Sequence, residues 1–333
     1  MSNGPIASPA GRPFEVFDEA PAAVARLIAL YDEAIDFLDR RFRAVLAGDA
    51  PEGRVRAFYP ELRISIDTHA RLDSRLAFGY VQAPGVYATT VTRPDLFRPY
   101  LEVQIGQLLA NHAVGVEVGW STRPIPLHFS LRSDAGLSFE AAERLDRPLR
   151  DIFDVPDLAV TDDAIVNGTL EVAPGEPGPL APFTAPRVDY SLHRLAHYTA
   201  TKPEHFQNYV LFTNYQFYVD EFVAYARAAV DDPAGGYDAF VEPGNLVWKA
   251  GSAAPVAGAA PPRLPQMPAY HLVRAGHSGI TMVNIGVGPS NAKTITDHVA
   301  VLRPHAWVML GHCAGLRNSQ KLGDYVLAHA YVR

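Results

Sequence analysis

The sequence predicts an α+β domain followed by an α/β domain, and three observations carry that expectation. At 333 residues the chain is long enough for about two cores, at roughly 150 residues per domain. Its first half mixes helices and strands irregularly, whereas its second half repeats strand then helix. Between them, Ala173 to Pro186 holds five prolines and two glycines, too many breakers for a helix or a central strand. The expected division is 1–172 for the first domain, 173–186 for a Pro-rich linker and 187–333 for the second domain.

Pro21 to Leu46 carries Val24, Leu27, Ile28, Tyr31, Ile35, Leu38, Phe42 and Val45 at three- and four-residue intervals, the stripe of an amphipathic helix. Pro21 suits its first turn and Gly48 a left-handed exit. From Tyr59 the period becomes two, with Leu62, Ile64 and Ile66 alternating with Arg63, Ser65 and Asp67, which suits a half-buried strand. Ala77 to Gln82 and Val86 to Thr92 flank Ala83-Pro84-Gly85 and read as a hairpin. Thr92-Arg93-Pro94 reads as a helix start capped by Thr92 and continuing through Leu109. Val114 to Val118 and Ile125 to Leu131 read as strands interrupted by Gly119 and Pro124, and Phe139 to Ile152 as a helix. Beyond the linker, Tyr209 to Thr213 and Ile280 to Ile285 read as strands, each followed by a helix, Tyr215 to Val230 and Ser290 to Leu302. Strands at Trp307 to Leu310 and Asp324 to Ala330 complete a mainly parallel sheet.

Composition narrows the function classes. Hydrophobic residues at 48% and charged residues at 20% are globular values. The balance of 29 basic against 36 acidic residues, a net charge of -7 without a long block of either sign, argues against a general nucleic-acid binder. A single cysteine, Cys313, excludes an internal disulfide framework or a multi-cysteine zinc cluster and suits a reducing compartment. No apolar run approaches the ~18 residues of a membrane span, and Met1 to Pro13 lacks the features of a secretory signal, so no membrane partner and a cytoplasmic location are expected.

Three strand-to-loop junctions of the second half draw the chemistry, because ligands of open α/β sheets sit outside the carboxyl ends of strands. Asn214, Tyr215 and Gln216 follow one strand. Gly286-Val287-Gly288-Pro289-Ser290-Asn291-Ala292-Lys293-Thr294 follows the next, and Gly311-His312-Cys313 the third. Gly286 and Gly288 would let backbone approach a ligand, and the following helix N-terminus offers donors to an anion. A P-loop would need glycines where Val287 and Ala292 stand, and a dinucleotide fingerprint would need one at Asn291. Taken singly, these segments are equally compatible with tight turns and helix caps. Cys313 reads as a small buried residue, and Phe212, Phe217, Tyr218 and Phe222 as core packing around a sheet. His193 and His197 lie four apart, but Arg194 stands where a zinc protease has Glu, so no metal is expected. Arg93, read beside free helix donors, is a candidate for phosphate, with a surface pair to Asp95 as the alternative.

Read together, the motifs become specific. Ser191-Leu192-His193-Arg194-Leu195, Pro203-Glu204-His205-Phe206-Gln207 and Val210 to Gln216, the glycine segment 283–294 and Gly311 to Leu316 resemble the AMP nucleosidase family. So do Thr89 to Pro94 and Pro124 to Phe129, and the resemblance covers about Tyr59 to Arg333. It implies hydrolysis of the N-glycosidic bond of AMP to adenine and ribose 5-phosphate. It also implies a regulatory N-terminal α+β domain joined to a catalytic α/β domain of the nucleoside phosphorylase fold, and a homohexamer. No cofactor for catalysis is implied, but Mg-ATP as activator and phosphate as inhibitor are. Asn214, Tyr215, Gln216, Gly286, Gly288 and His312 become the substrate-binding candidates, and Arg93 a candidate for the phosphate of AMP or of an effector. His312 stands where the wider fold has Ser, and Met309 where one branch has Arg, so phosphate-handling residues do not carry over. The acid that protonates adenine is expected beyond Arg333, so the second domain is expected to be C-terminally truncated, the catalytic residue unassigned and the 333-residue chain inactive alone. The alternative is a catalytically silent nucleotide- or phosphate-binding regulatory module.

Overall fold

The computed structural model describes residues 13–49, 51–69, 79–131, 147–161 and 163–327. Its elements in order are β1 (Glu15–Phe17), α1 (Ala20–Leu46), β2 (Phe58–Ile66), β3 (Gly85–Thr90), α2 (Arg98–His112), β4 (Val116–Pro124), α3 (Leu127–Ser130), α4 (Leu149–Ile152), α5 (Ala164–Asn167) and β5 (Gly178–Pro179). Then come α6 (Ala185–Thr199), β6 (Tyr209–Thr213), α7 (Gln216–Asp231), β7 (Ala239–Glu242), β8 (Leu246–Trp248), β9 (Ala269–Val273), β10 (Ile280–Asn284), α8 (Pro289–Val299) and β11 (Ala306–Leu310). Contacts group these into one unit of Met1–His197, Lys202–Glu204 and Thr294–Arg303, and a second of Tyr198–Thr201, His205–Lys293 and Pro304–Arg333.

In the first unit a five-stranded sheet runs in the order β1-β4-β2-β3-β5. Its pairs are antiparallel except β3 with β5. The apolar stripe of α1 buries Ala23, Leu27, Leu30, Ala34, Leu38, Phe42 and Val45, and α1 packs on β2, β4 and α2. Gly48 takes the expected positive φ, 96°, just after the helix. The Pro-rich stretch is more than a linker: Gly178–Pro179 pairs with Tyr87 and Ala88 at the sheet edge, a place where proline's missing donor is tolerated.

Several local readings need correction. The expected hairpin fails because β3 pairs with β2, Glu61 opposite Thr90 through Ile66 opposite Gly85. Residues 79–82 form no strand, and 70–78 lie outside the described residues. The backbone of 79–81 is used by α2 instead: Asn111 donates to the Gly79 carbonyl, and Val81 N–H donates to His112 Nε2. Gly79 has φ 58°, and a Cβ there would fall 2.5 Å from the Gln104 carbonyl oxygen. The expected helix at Thr92 starts only at Arg98, and Thr92 turns inward rather than capping. The two expected strands at 114–118 and 125–131 are replaced by the single β4, which runs through Gly119, where the absent Cβ makes room for the Phe14 ring, and by the short α3. Of the expected helix 139–152, only α4 falls within the described residues.

The second unit has a six-stranded sheet, order β11-β6-β10-β9-β7-β8. Only β11, β6 and β10 are parallel; β9, β7 and β8 are antiparallel, so the expected mainly parallel sheet is in fact mixed. Short connections return the chain beside itself twice, at the tight turn between β7 and β8, where Gly244 and Asn245 adopt positive φ, 86° and 57°, and at the turn Ala275–His277 between β9 and β10. The strand expected at 324–330 is not formed over 324–327, where Asp324 closes a turn with Lys321, and 328–330 lie outside the described residues. Phe222, Phe240, Leu272 and Met282 form part of the core between α7 and the sheet. A Cβ on Gly244 would sit 2.0 Å from the Ala259 carbonyl oxygen. Gly244→Ala is therefore expected to lower the stability of this unit by about 2–4 kcal/mol, read from its urea midpoint, since steric conflict adds to the unfavourable dihedral.

His271 on β9 is fully buried in this sheet. Its Nδ1 lies 2.9 Å from Thr281 Oγ1 and its Nε2 2.9 Å from Thr201 Oγ1, partners that suit the one donor and one acceptor of a neutral ring. Burial, and then the neighbouring His205, hold its pKa well below 6.5. The unfolded chain therefore binds the extra proton first, so this contribution to stability is complete above about pH 6.5 and is lost as pH falls. His271→Gln is expected to be less stable at pH 8 but to flatten the acid limb below pH 6.5, measured by denaturant unfolding across that range.

Candidate functional site

The three parallel strands of the second unit end together, because Thr213 stands opposite both Asn284 and Leu310. The residues just past each strand are polar or glycine. After β6, Asn214 and Tyr215 lead into α7, and Thr213 Oγ1 accepts the Tyr215 N–H at 3.2 Å. After β10, the Ile285 N–H donates to the Thr213 carbonyl at 2.8 Å, and the chain then bends at Gly286 and Gly288, φ 62° and 118°, into α8. No heavy atom lies within 4 Å of a Cβ built on Gly288, so its conformation rather than lack of space calls for glycine.

Asn284 ties two of these loops. Its Nδ2 donates to Gln216 Oε1 at 3.1 Å and its Oδ1 accepts the Gly286 N–H at 3.0 Å. Gln216 also donates to Asp220 at 2.9 Å. From the third loop, the His312 ring lies 4.6 Å from that of Tyr215 and 5.4 Å from that of Phe217, with Nε2 3.1 Å from the Tyr218 hydroxyl. The structure thus gathers Asn214, Tyr215, Gln216, Gly286, Gly288 and His312 at one end of one sheet. Phe212 and Phe222 are buried as expected, but two readings need correction: Phe217 is exposed and Tyr218 half-buried in this aromatic group, and Cys313 is exposed.

The arrangement offers three kinds of recognition side by side. Glycine backbone and the N-terminus of α8 suit an oxyanion, the amides of Asn214, Gln216 and Asn284 suit hydroxyls, and the faces of Tyr215, Phe217 and His312 suit a planar ring. Among the described residues no group of three His, Cys, Asp or Glu is arranged to hold a metal ion. Sequence reasoning passes over Asn284 as a connector, although its place as the last residue of a strand before a glycine turn is a usable signal.

Arg93 belongs to the first unit. Its backbone is left-handed, φ 43°, and its guanidinium donates to Glu204 at 2.7 Å and to Asp95 at 3.4 Å. Burial works against its charge, but these carboxylates outweigh that and hold it more basic than an ordinary arginine. The helix whose free donors it was expected to accompany begins five residues later, at Arg98. The neighbouring Thr92 belongs to a buried network that sequence reasoning does not identify: Asp189 on α6 accepts from Tyr59 at 2.6 Å and from Thr92 at 2.7 Å, and Thr92 Oγ1 lies 3.3 Å from the Tyr31 hydroxyl. Burial pushes the Asp189 carboxyl up to about 7, against both hydrogen bonds and the Arg93 charge.

Known proteins share much of this chain. Residues 22–177 match the family described as bacterial AMP nucleoside phosphorylase N-terminus. The curated AMP nucleosidases of Escherichia coli strain K12 and of E. coli O157:H7 are each 41% identical over 319 residues, which is 93% of this chain and 65% of either relative. A crystal structure of AMP nucleosidase from Bacteroides thetaiotaomicron matches 41% of this chain and 45% of its own at 24% identity, with a TM-score of 0.29, too low to bear on the fold.

Proposed function

Because the chain belongs to the AMP nucleosidase family, we propose that the protein carrying it hydrolyses AMP to adenine and ribose 5-phosphate. The observation that carries this reading is the 41% identity to curated AMP nucleosidases over 93% of the chain, together with the convergence of an oxyanion loop, amides and aromatic rings on one sheet end. In this reading the phosphate lies at Gly286, Gly288 and the first turn of α8, where peptide N–H groups and the helix dipole favour negative charge. Asn214 and Gln216, the latter held by Asn284, meet the ribose hydroxyls, and Tyr215, Phe217 and His312 offer the surface for adenine. C–N cleavage leaves positive charge on the ribosyl carbon, and adenine departs once a ring nitrogen is protonated; water then supplies the oxygen at C1 and a proton returns to solvent. None of the residues above is assigned as that acid.

The reading extends to a homohexamer, a cytoplasmic location, a regulatory role for residues 1–172, Mg-ATP as activator and phosphate as inhibitor, all supported by the family alone. Arg93, a candidate for either phosphate from the sequence, is in this reading the contact for an effector phosphate, which would have to displace or share Glu204 and Asp95. The phosphate-centred geometry predicts that kcat/KM for AMP exceeds that for adenosine by at least about 10²-fold, since the phosphate contacts would be used in the transition state. Adenine release is followed by chromatography with both substrates. Comparable values would contradict the proposal.

A further inference from the structure

The first unit contains a cavity of about 40 Å³ that none of the features above explains. Arg303 is the charged side chain among those lining it, with Thr90 and Thr92 on one side and apolar groups including Phe97, Ala181 and Phe183 elsewhere. The guanidinium sits 4.2 Å from the Tyr100 ring centroid and 5.3 Å from that of Phe97. Its Nη1 donates to the Val301 carbonyl at 3.3 Å, but its Nε is buried with no hydrogen-bond partner. A buried donor on a charged group without an acceptor is unfavourable, and here it belongs to a side chain that faces unfilled space. The residue is held there by a left-handed backbone, φ 54°, closing the turn Ala300–Leu302.

We propose that this cavity binds a short-chain monocarboxylate, of acetate to propionate size, with its carboxylate on the Arg303 guanidinium and its alkyl part against the apolar lining. The volume exceeds the roughly 10–15 Å³ needed for one water and matches a group of a few heavy atoms. A carboxylate accepts from a guanidinium edge in plane, so one arginine can satisfy most of its demand. A phosphate dianion fits less well. The Thr92 hydroxyl is already given to Asp189, which leaves the guanidinium and few hydroxyl donors for the four oxygens of a phosphate. The Asp189 carboxyl on the far side of Thr92 would also repel a second negative charge when ionised.

The test is thermal unfolding of the whole chain titrated with sodium acetate, sodium propionate and sodium phosphate, at ionic strength matched with sodium chloride. Acetate or propionate is expected to raise Tm saturably, as ligand binding to the folded state requires. Arg303→Met is expected to raise the half-saturating concentration at least tenfold. Ala181→Leu, which fills the cavity and leaves the guanidinium in place, is expected to do the same and decides the matter if Arg303→Met does not fold. No saturable shift with either carboxylate, or a shift unchanged in Ala181→Leu, would overturn the proposal. So would a phosphate shift that Ala181→Leu abolishes, which would assign the cavity to a dianion instead.

Discussion

Asp189→Ala is expected to lower the stability of the first unit by about 2–5 kcal/mol, because it leaves the buried hydroxyls of Tyr59 and Thr92 without their acceptor. Asp189→Asn keeps the shape and an acceptor, and its effect should depend on pH. Burial raises the carboxyl from 3.8 to about 7, so the folded protein holds this proton more tightly than the unfolded chain. The contribution is complete below about pH 3.8 and is lost as pH rises through about 7. Across that window the stability of the wild type relative to Asp189→Asn is expected to fall by up to about 1.4 kcal/mol per pH unit. His298, lowered to about 4 by burial and then by Arg187 and Arg194, runs the other way, its contribution being lost as pH falls from about 6.5. The wild-type profile alone is therefore flattened, and the difference from Asp189→Asn in urea titrations at pH 5, 6, 7 and 8 is the quantity to read. A difference independent of pH would show that Asp189 stays ionised throughout.

The second large effect is expected at the glycine turn. Gly288 has φ 118°, a conformation that a β-branched residue adopts only at a cost of order 1–3 kcal/mol, so Gly288→Val should relax the backbone rather than keep the turn. Under the proposed function this moves the N–H groups that face the phosphate, and kcat/KM for AMP should fall by at least about 10²-fold. Gly288→Ala should fall between the two, because the space around the position is open and only the dihedral resists. Full activity in Gly288→Val would remove the phosphate from this loop.

How much of the fold and the site is legible in the sequence depends on how far apart the interacting residues lie. The helix α1 and the strands β2, β6, β10 and β11 follow from periodicity or short apolar runs, which local sequence carries. The polar and glycine residues at the three strand ends can be grouped because parallel strands in register bring consecutive loops to one edge. The antiparallel half of the second sheet escapes notice, since Ala239–Glu242 and Leu246–Trp248 are short and their turn looks like an ordinary Pro-Gly loop. Thr92 reads as a cap because its true partner, Asp189, is 97 residues away. Arg303 gives no local signal either: its burial is created by Tyr100 and Phe97, which nothing in its own neighbourhood announces.

The most direct measurement is hydrogen–deuterium exchange of the protein with and without AMP, under conditions where turnover is negligible. The strand-end site predicts protection concentrated in peptides covering 213–218 and 284–293, with Gly286 and Gly288 within the most protected segment. AMP-dependent protection confined to the first unit, around Arg93, with no change at 284–293, would contradict it.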